Sequence, residues 1–257
     1  DLNKATINII SIINQLSENL CNQFCAAGLA TALAPYVPHN LATFAIQSSM
    51  KKCSDEFSLK FLFLLFQAVT STDDELIALH FFSGIDIFTC RFGFDSIPDQ
   101  LSDEEIDPGT IFECKNIIFV LLDHILSTSK RFDLISNLMK FCNKIPEENP
   151  PNILQYISEY ITDDSFFVDD ETHLIENISG VLIHFYNSWK DYIPRDFFIN
   201  LYDLIKDSKV DFQISFAYAK IIVTYHQVEL DQFDLNVVEL CTRYICCSDV
   251  PFSHMCI

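Results

Sequence analysis

The sequence predicts an all-α fold. Three observations carry that expectation: apolar residues recur at helical spacing, no stretch of strand length alternates strictly between apolar and polar, and turn-forming residues are scarce. Only five glycines and nine prolines occur in 257 residues. An all-β chain of this size would need a turn signal about every 10 residues. Helices joined by short loops need far fewer.

Taken in chain order, the helical signals are these. Ile9, Ile13, Leu16 and Leu20 step by four, three and four, the spacing that lines side chains along one face of a 3.6-residue helix. "FSLKFLFLLFQAV", Phe57 to Val69, is apolar nearly all round, which predicts a helix buried between others. Thr72 with Glu75, and Ser102 with Glu105, have capping-box spacing, in which a hydroxyl satisfies an unpaired N–H of the first turn. Between them lies "GFDSIPDQLSDEEIDPG", Gly93 to Gly109, read as an acidic, turn-rich insertion. Pro146, Pro150 and Pro151 stop one helix ahead of the next, and Thr162 to Glu171 forms a second acidic loop.

Beyond it, Leu174, Ile178, Val181, Phe185 and Trp189 again fall on one helical face. Pro194 suits a first helical turn, where its missing N–H costs nothing. Ile214, Tyr218, Ile221 and Tyr225, then Phe233, Val237, Leu240 and Tyr244, complete the series. The expectation is about a dozen helices, joined closely enough to pack as hairpins, in one continuous domain over residues 1–257.

Composition excludes several classes of function. Half the residues are hydrophobic, at 49%, so the chain has ample apolar surface to offset its entropy. The net charge is −20. Such a surface repels nucleic-acid backbones and anionic lipid heads and attracts basic protein segments, while also keeping a Phe-rich helical protein in solution.

The ten cysteines are too few for a disulfide scaffold. Cys21 and Cys25 share a helical face, and Cys241, Cys246 and Cys247 cluster near the end without C-x2-C spacing. They read as structural thiols of a reducing compartment, the cytoplasm or the nucleus. The longest apolar run has 13 residues and holds Lys60 and Gln67, whereas a membrane span needs about 20. The start at Asp1 reads as a segment of a longer chain. Asn177-Ile178-Ser179 matches a glycosylation acceptor but falls inside an apolar helical pattern.

Two short phrases suggest a repeat. "CAAGLATAL" holds Gly28 and "FFSGIDIFT" holds Gly84. In each an amphipathic helix runs into a small residue and a glycine, followed by an aliphatic residue and a second apolar segment. Glycine there would serve as a hinge, ending one helix with positive φ and letting another leave at a steep angle. The pattern resembles the junction between the second and third helices of an armadillo repeat. The two glycines stand 56 residues apart, more than the roughly 40 to 47 of armadillo and HEAT repeats, so an inserted helix would be required. Gly180 marks a candidate third unit.

The resemblance implies an α-solenoid, a right-handed superhelix of helix hairpins whose concave face binds segments of other proteins as a scaffold or adaptor. A related implication is an acidic HEAT-type transport or assembly receptor for basic cargo. Nuclear-import members of that family carry repeated Trp and Asn on the groove-lining helix. Here Trp189 is the single tryptophan, and neither "LATALAPY" nor "IDIFTCRF" has an asparagine.

Catalytic signatures are missing from the sequence: no P-loop, G-x-G-x-x-G, H-E-x-x-H or G-x-S-x-G occurs. The seven histidines have no ligand spacing, and His80, His124 and His184 fall in apolar helical patterns as core or boundary residues. The pairs Asp73-Asp74, Asp163-Asp164 and Asp169-Asp170 read as helix caps. The expected chain is therefore a protein-binding scaffold and not an enzyme, with no cofactor and no metal. A helical enzyme with a site between helices is the reading from another class. The candidate partner-binding residues are Phe166 and Phe167 in the second acidic loop, and Asp103, Glu104 and Glu105 in the first. Neighbours on a helix cannot face one core, so the pairs Phe81-Phe82 and Phe197-Phe198 predict either burial on two sides or one ring of each pair left exposed as a binding anchor.

Overall fold

A computed structural model of the protein describes residues 15–146 as one continuous run, and beyond them Asn8, Ser11, Ile12, Tyr156, Asn177, Ile178, Gly180, Val181, His184, Asp203 and Ile222. The chain divides into two compact units, Asp1–Lys144 and Ile145–Ile257, where the sequence predicts one domain. In the second unit Ile178, Val181 and Ile222 are buried, and His184 Nε2 lies 3.0 Å from the Ile145 carbonyl oxygen. The remaining elements all belong to the first unit.

Helix α1 spans Glu18–Ala26 and begins at Ser17, whose hydroxyl accepts from the Leu20 N–H. The predicted continuous helix from Ile9 to Leu20 is therefore broken at Leu16 and Ser17, because Ser17 caps a new helix. Gly28 follows at φ +94, a left-handed turn that a Cβ would strain, and leads into the short helix α2, Leu29–Leu33. A single 3-10 turn, Ala34–Tyr36, connects to α3, Asn40–Met50, capped by His39 Nδ1 accepting from the Leu41 N–H.

Helix α4, Asp55–Thr70, holds the apolar run read from the sequence. Phe61, Leu62, Phe63, Leu64, Leu65 and Phe66 are all completely buried, which a helix achieves only with neighbours on every side. Helix α5, Glu75–Phe92, follows. Its N-cap is Asp74, whose carboxylate accepts from the Leu76 N–H at 2.8 Å; the predicted Thr72 instead accepts from the Asp74 N–H at 3.3 Å. A 3-10 turn, Phe94–Ser96, and a two-stranded antiparallel hairpin come next, with β1 at Gln100–Ser102 and β2 at Ile111–Glu113. Helices α6, Cys114–Thr128, and α7, Phe132–Cys142, complete the described part of this unit.

Helix α5 is the centre of the packing. It lies along α3 on one side and α7 on the other, and it also packs against α4, which in turn packs on α3. Six ring contacts join seven phenylalanines from α4, β2, α5, α7 and the 3-10 turn. Phe63 meets Phe112 at 5.1 Å between centroids, Phe112 meets Phe66 at 5.9 Å, and Phe66 meets Phe81 edge-on at 5.1 Å. Phe81 meets Phe82 edge-on at 5.2 Å, Phe82 meets Phe141 at 5.8 Å, and Phe141 meets Phe94 at 6.2 Å. Phe81 thus packs toward α4 and Phe82 toward α7, which resolves the pairing seen in the sequence. Offset and edge-on contacts of this kind add about 0.5–1.5 kcal/mol each to the burial of the rings.

Gly84 corrects the sequence reading. It is not a hinge: it lies inside the unbroken 18-residue helix α5. A Cβ built there would stand 2.3 Å from Leu65 Cδ1 and 3.7 Å from Met50 Sδ. Glycine leaves room there for the buried Leu65 side chain of α4, while Met50 at the end of α3 would only touch a Cβ at ordinary contact distance. The likeness between the two glycine phrases therefore does not extend to their backbones.

The lower end of α5 is fixed by charge. Asp86 is buried at 7% exposure and forms ion pairs with Lys144 and, at 3.4 Å, with Lys140. Lys144 Nζ also lies 2.7 Å from Cys90 Sγ. A buried carboxylate needs such partners, since an unpaired one would be strongly destabilising. Net attraction to Asp86 and Cys90 raises the Lys144 pKa above its ordinary 10.5, against the opposing and larger single effect of burial.

His80 on α5 packs its ring 5.6 Å from that of Phe44. Burial, and secondly the Arg131 charge, hold its pKa below the ordinary 6.5. The unfolded chain then takes up a proton more readily than the folded one, so this residue's contribution is complete above pH 6.5 and is lost as pH falls through the folded value. Urea unfolding of the full chain at pH 7.5 and pH 5.5 should show a loss of stability that shrinks in His80→Phe. An unchanged pH dependence in that variant would contradict the buried neutral imidazole.

Candidate partner-binding surface

Between Gly93 and Glu113 the sequence places seven carboxylates and no basic residue. The structure folds this acidic segment into the hairpin. The sequence predicts a turn-rich loop there, because strands of three residues are too short to display alternation. Leu101 and Phe112 sit opposite each other and face inward, and Phe112 packs on Phe63 and Phe66 of α4. The other face carries Gln100 opposite Glu113 and Ser102 opposite Ile111.

Polar contacts pin both ends of the hairpin. The Cys114 N–H donates to the Asp99 carbonyl at 3.0 Å, and Lys115 Nζ pairs with Asp99 Oδ1 at 2.8 Å. In the connecting loop Asp103 Oδ1 accepts from the backbone N–H of Glu105 at 3.0 Å and of Ile106 at 3.1 Å. The predicted capping box at Ser102 and Glu105 is therefore absent: Ser102 ends β1, and Asp103 organises a turn instead of a helix start. Thr110 Oγ1 donates to Asp107 Oδ2 at 2.9 Å, and Gly109 at φ +87 returns the chain to β2.

Of the three carboxylates predicted to dock a partner, two thus have work within the chain. Asp103 forms the turn. Glu105 pairs with Lys60 of α4, and that hydrogen bond holds the Glu105 carboxyl below its ordinary 4.5 and raises Lys60 above 10.5. Glu105 nonetheless stays largely in solvent, as do Glu104, Asp99 and Glu113. Phe166 and Phe167, the predicted aromatic anchors, lie outside the described residues, as do Asp163, Asp164, Asp169, Asp170, Trp189, Phe197, Phe198 and the cysteines from Cys241 onward.

The residue that sequence reasoning missed is Ile111. It is 61% exposed on the outer face of β2, opposite Ser102, which Asp103 and Glu104 follow in the chain. In "TIFE" an isoleucine before a phenylalanine reads as core; only the strand register shows that Phe112 turns inward and Ile111 outward. On α1, likewise, Leu20 and Phe24 stand one turn apart in solvent while Cys21 and Cys25 face the core.

Chemically, the hairpin offers an apolar contact framed by negative charge. Among the described residues no group of three or more His, Cys, Asp or Glu side chains is arranged to hold a metal ion, and no helix is long and apolar enough to cross a membrane. Comparisons of the chain with protein-family models, with curated proteins and with solved structures find no match.

Proposed function

We propose that this chain is a non-catalytic scaffold of the armadillo/HEAT solenoid type, working in the cytoplasm or nucleus, and that it binds basic segments of other proteins. The observation that carries the binding reading is Ile111, a large apolar side chain left in solvent within an acidic frame. Apolar burial would supply affinity there, and the carboxylates would speed encounter and select against acidic partners. The solenoid reading is supported by the way α5 lies against both α3 and α7, helices two places away in the chain, while α4 packs on both α3 and α5. Contacts between helices two places apart, added to those between neighbours, are what stacked helix hairpins make.

The test is an array of Lys/Arg-rich peptides with and without a central leucine or phenylalanine, probed with the full chain. Peptides carrying the apolar residue should bind best. Affinity should fall as salt rises from 50 to 500 mM, through screening, and about tenfold in Ile111→Ser, whose exposed site leaves folding intact. Binding indifferent to both salt and Ile111→Ser, or no binding at all, would overturn the reading.

A further inference from the structure

At the lower end of α5 a lysine nitrogen is set against a sulfur that solvent can reach. Among the described residues Cys90 is the exposed cysteine, while Cys21, Cys25, Cys53, Cys114 and Cys142 are buried. Its Sγ lies 2.7 Å from Lys144 Nζ. That is inside the roughly 3–3.5 Å at which two groups are poised to react. Cys90 is carried by α5 and Lys144 by the turn that follows α7, 54 residues later in the chain.

Lys144 is held in place from several directions. Its Nζ is ion-paired with the Asp86 carboxylate and lies 3.3 Å from the Asp86 carbonyl oxygen, one helical turn before Cys90. Its backbone N–H donates to the Phe141 carbonyl at 2.9 Å. Asp86 is itself buried and has Lys140 as a second cation at 3.4 Å. A carboxylate fixed within the packing therefore holds the lysine nitrogen over the sulfur.

We propose that Cys90 and Lys144 form a peroxide-dependent cross-link, a sulfenamide in which Sγ is bonded directly to Nζ. The Cys90 thiolate, the form of a thiol that attacks, displaces one oxygen of hydrogen peroxide. The O–O bond breaks, Cys90 becomes a sulfenic acid, and the departing hydroxide takes a proton from the Lys144 ammonium to leave as water. Lys144 is then a neutral amine beside an electrophilic sulfur. Its lone pair attacks; the S–N bond forms, the S–O bond breaks, and the leaving hydroxide takes a second proton from nitrogen to give a second water. Sulfur loses two electrons and the peroxide gains them, and sulfenic acids are known to condense with nitrogen in this way. The product ties α5 to the end of α7 and takes one positive charge from Asp86, which keeps Lys140.

Tryptic peptides report the link directly. Cys90 is the single cysteine of the peptide of residues 61–91, and trypsin also cuts after Lys140, Lys144 and Lys190. The full reduced chain is treated with hydrogen peroxide, unfolded in guanidinium chloride with N-ethylmaleimide present, digested without reductant and read by mass spectrometry. A lysine bonded to sulfur is no longer a cleavage site. The expected product therefore joins residues 61–91 to residues 141–190, two hydrogens lighter than their sum, with the maleimide on Cys142. It should rise from near zero to the major form of Cys90. Lys144→Arg, which keeps the charge beside Asp86, should lose the link and leave the Cys90 sulfenic acid open to dimedone. A disulfide to Cys142 would keep the cut after Lys144 and join residues 61–91 to residues 141–144. That product, a link one oxygen heavier, a link that survives in Lys144→Arg, or Cys90 oxidised without any link would each overturn the proposal.

Discussion

Phe81→Ala and Phe82→Ala are each expected to lower the unfolding free energy by about 3–5 kcal/mol, the range for truncating a fully buried ring. Both side chains are completely buried, and they serve different partners: Phe81 meets Phe66 of α4, and Phe82 meets Phe141 of α7. Removing either opens a cavity on a separate side of α5. Because the two rings also touch, at 5.2 Å, the double variant should differ measurably from the sum of the two singles. Urea unfolding followed by circular dichroism reads both quantities. A cost below about 1 kcal/mol at either position would mean that α5 has a free face.

Gly84→Val is expected to destabilise by about 2 kcal/mol, which lies within the usual cost of overpacking a filled core. Helix propensity alone predicts the opposite sign, since valine is a slightly better helix former than glycine. The decisive quantity is the 2.3 Å between a Cβ at this position and Leu65 Cδ1. Leu65 is itself completely buried and has little room to move. Pairing the variant with Leu65→Ala should restore part of the loss, because the smaller side chain vacates the space the new methyls need. A Gly84→Val chain as stable as the wild type would show that α4 and α5 do not approach so closely.

The contrast between Gly84 and Gly28 marks the limit of what the sequence discloses. Both follow a small residue, and both separate two apolar segments. One turns the chain at φ +94, and the other admits a neighbouring helix that is remote in sequence. Local pattern cannot distinguish these cases, because the cause of the second is a leucine 19 residues upstream. The helices themselves were legible wherever an apolar face was long: the run around Phe61 to Phe66 and the adjacent phenylalanines Phe81 and Phe82 both imply burial on several sides. Caps were harder to place, as Thr72, Asp73 and Asp74 all offer an oxygen and the structure selects Asp74.

The candidate surface was half legible. An acidic run from Asp103 to Glu105 is visible in any reading, but its internal duties are not. The turn made by Asp103 and the pairing of Glu105 with Lys60 depend on a hairpin too short to announce itself.

The central structural claim is that α5 is enclosed by α3, α4 and α7, and hydrogen exchange on the full chain tests it most directly. Amides of α5 from Ile77 to Thr89 should exchange only through global unfolding and so be among the slowest, while those of α1, with Leu20 and Phe24 in solvent, should exchange orders of magnitude faster by local opening. Exchange in α5 as fast as in α1 would contradict the enclosed helix, and would remove the packing that supports the proposed solenoid.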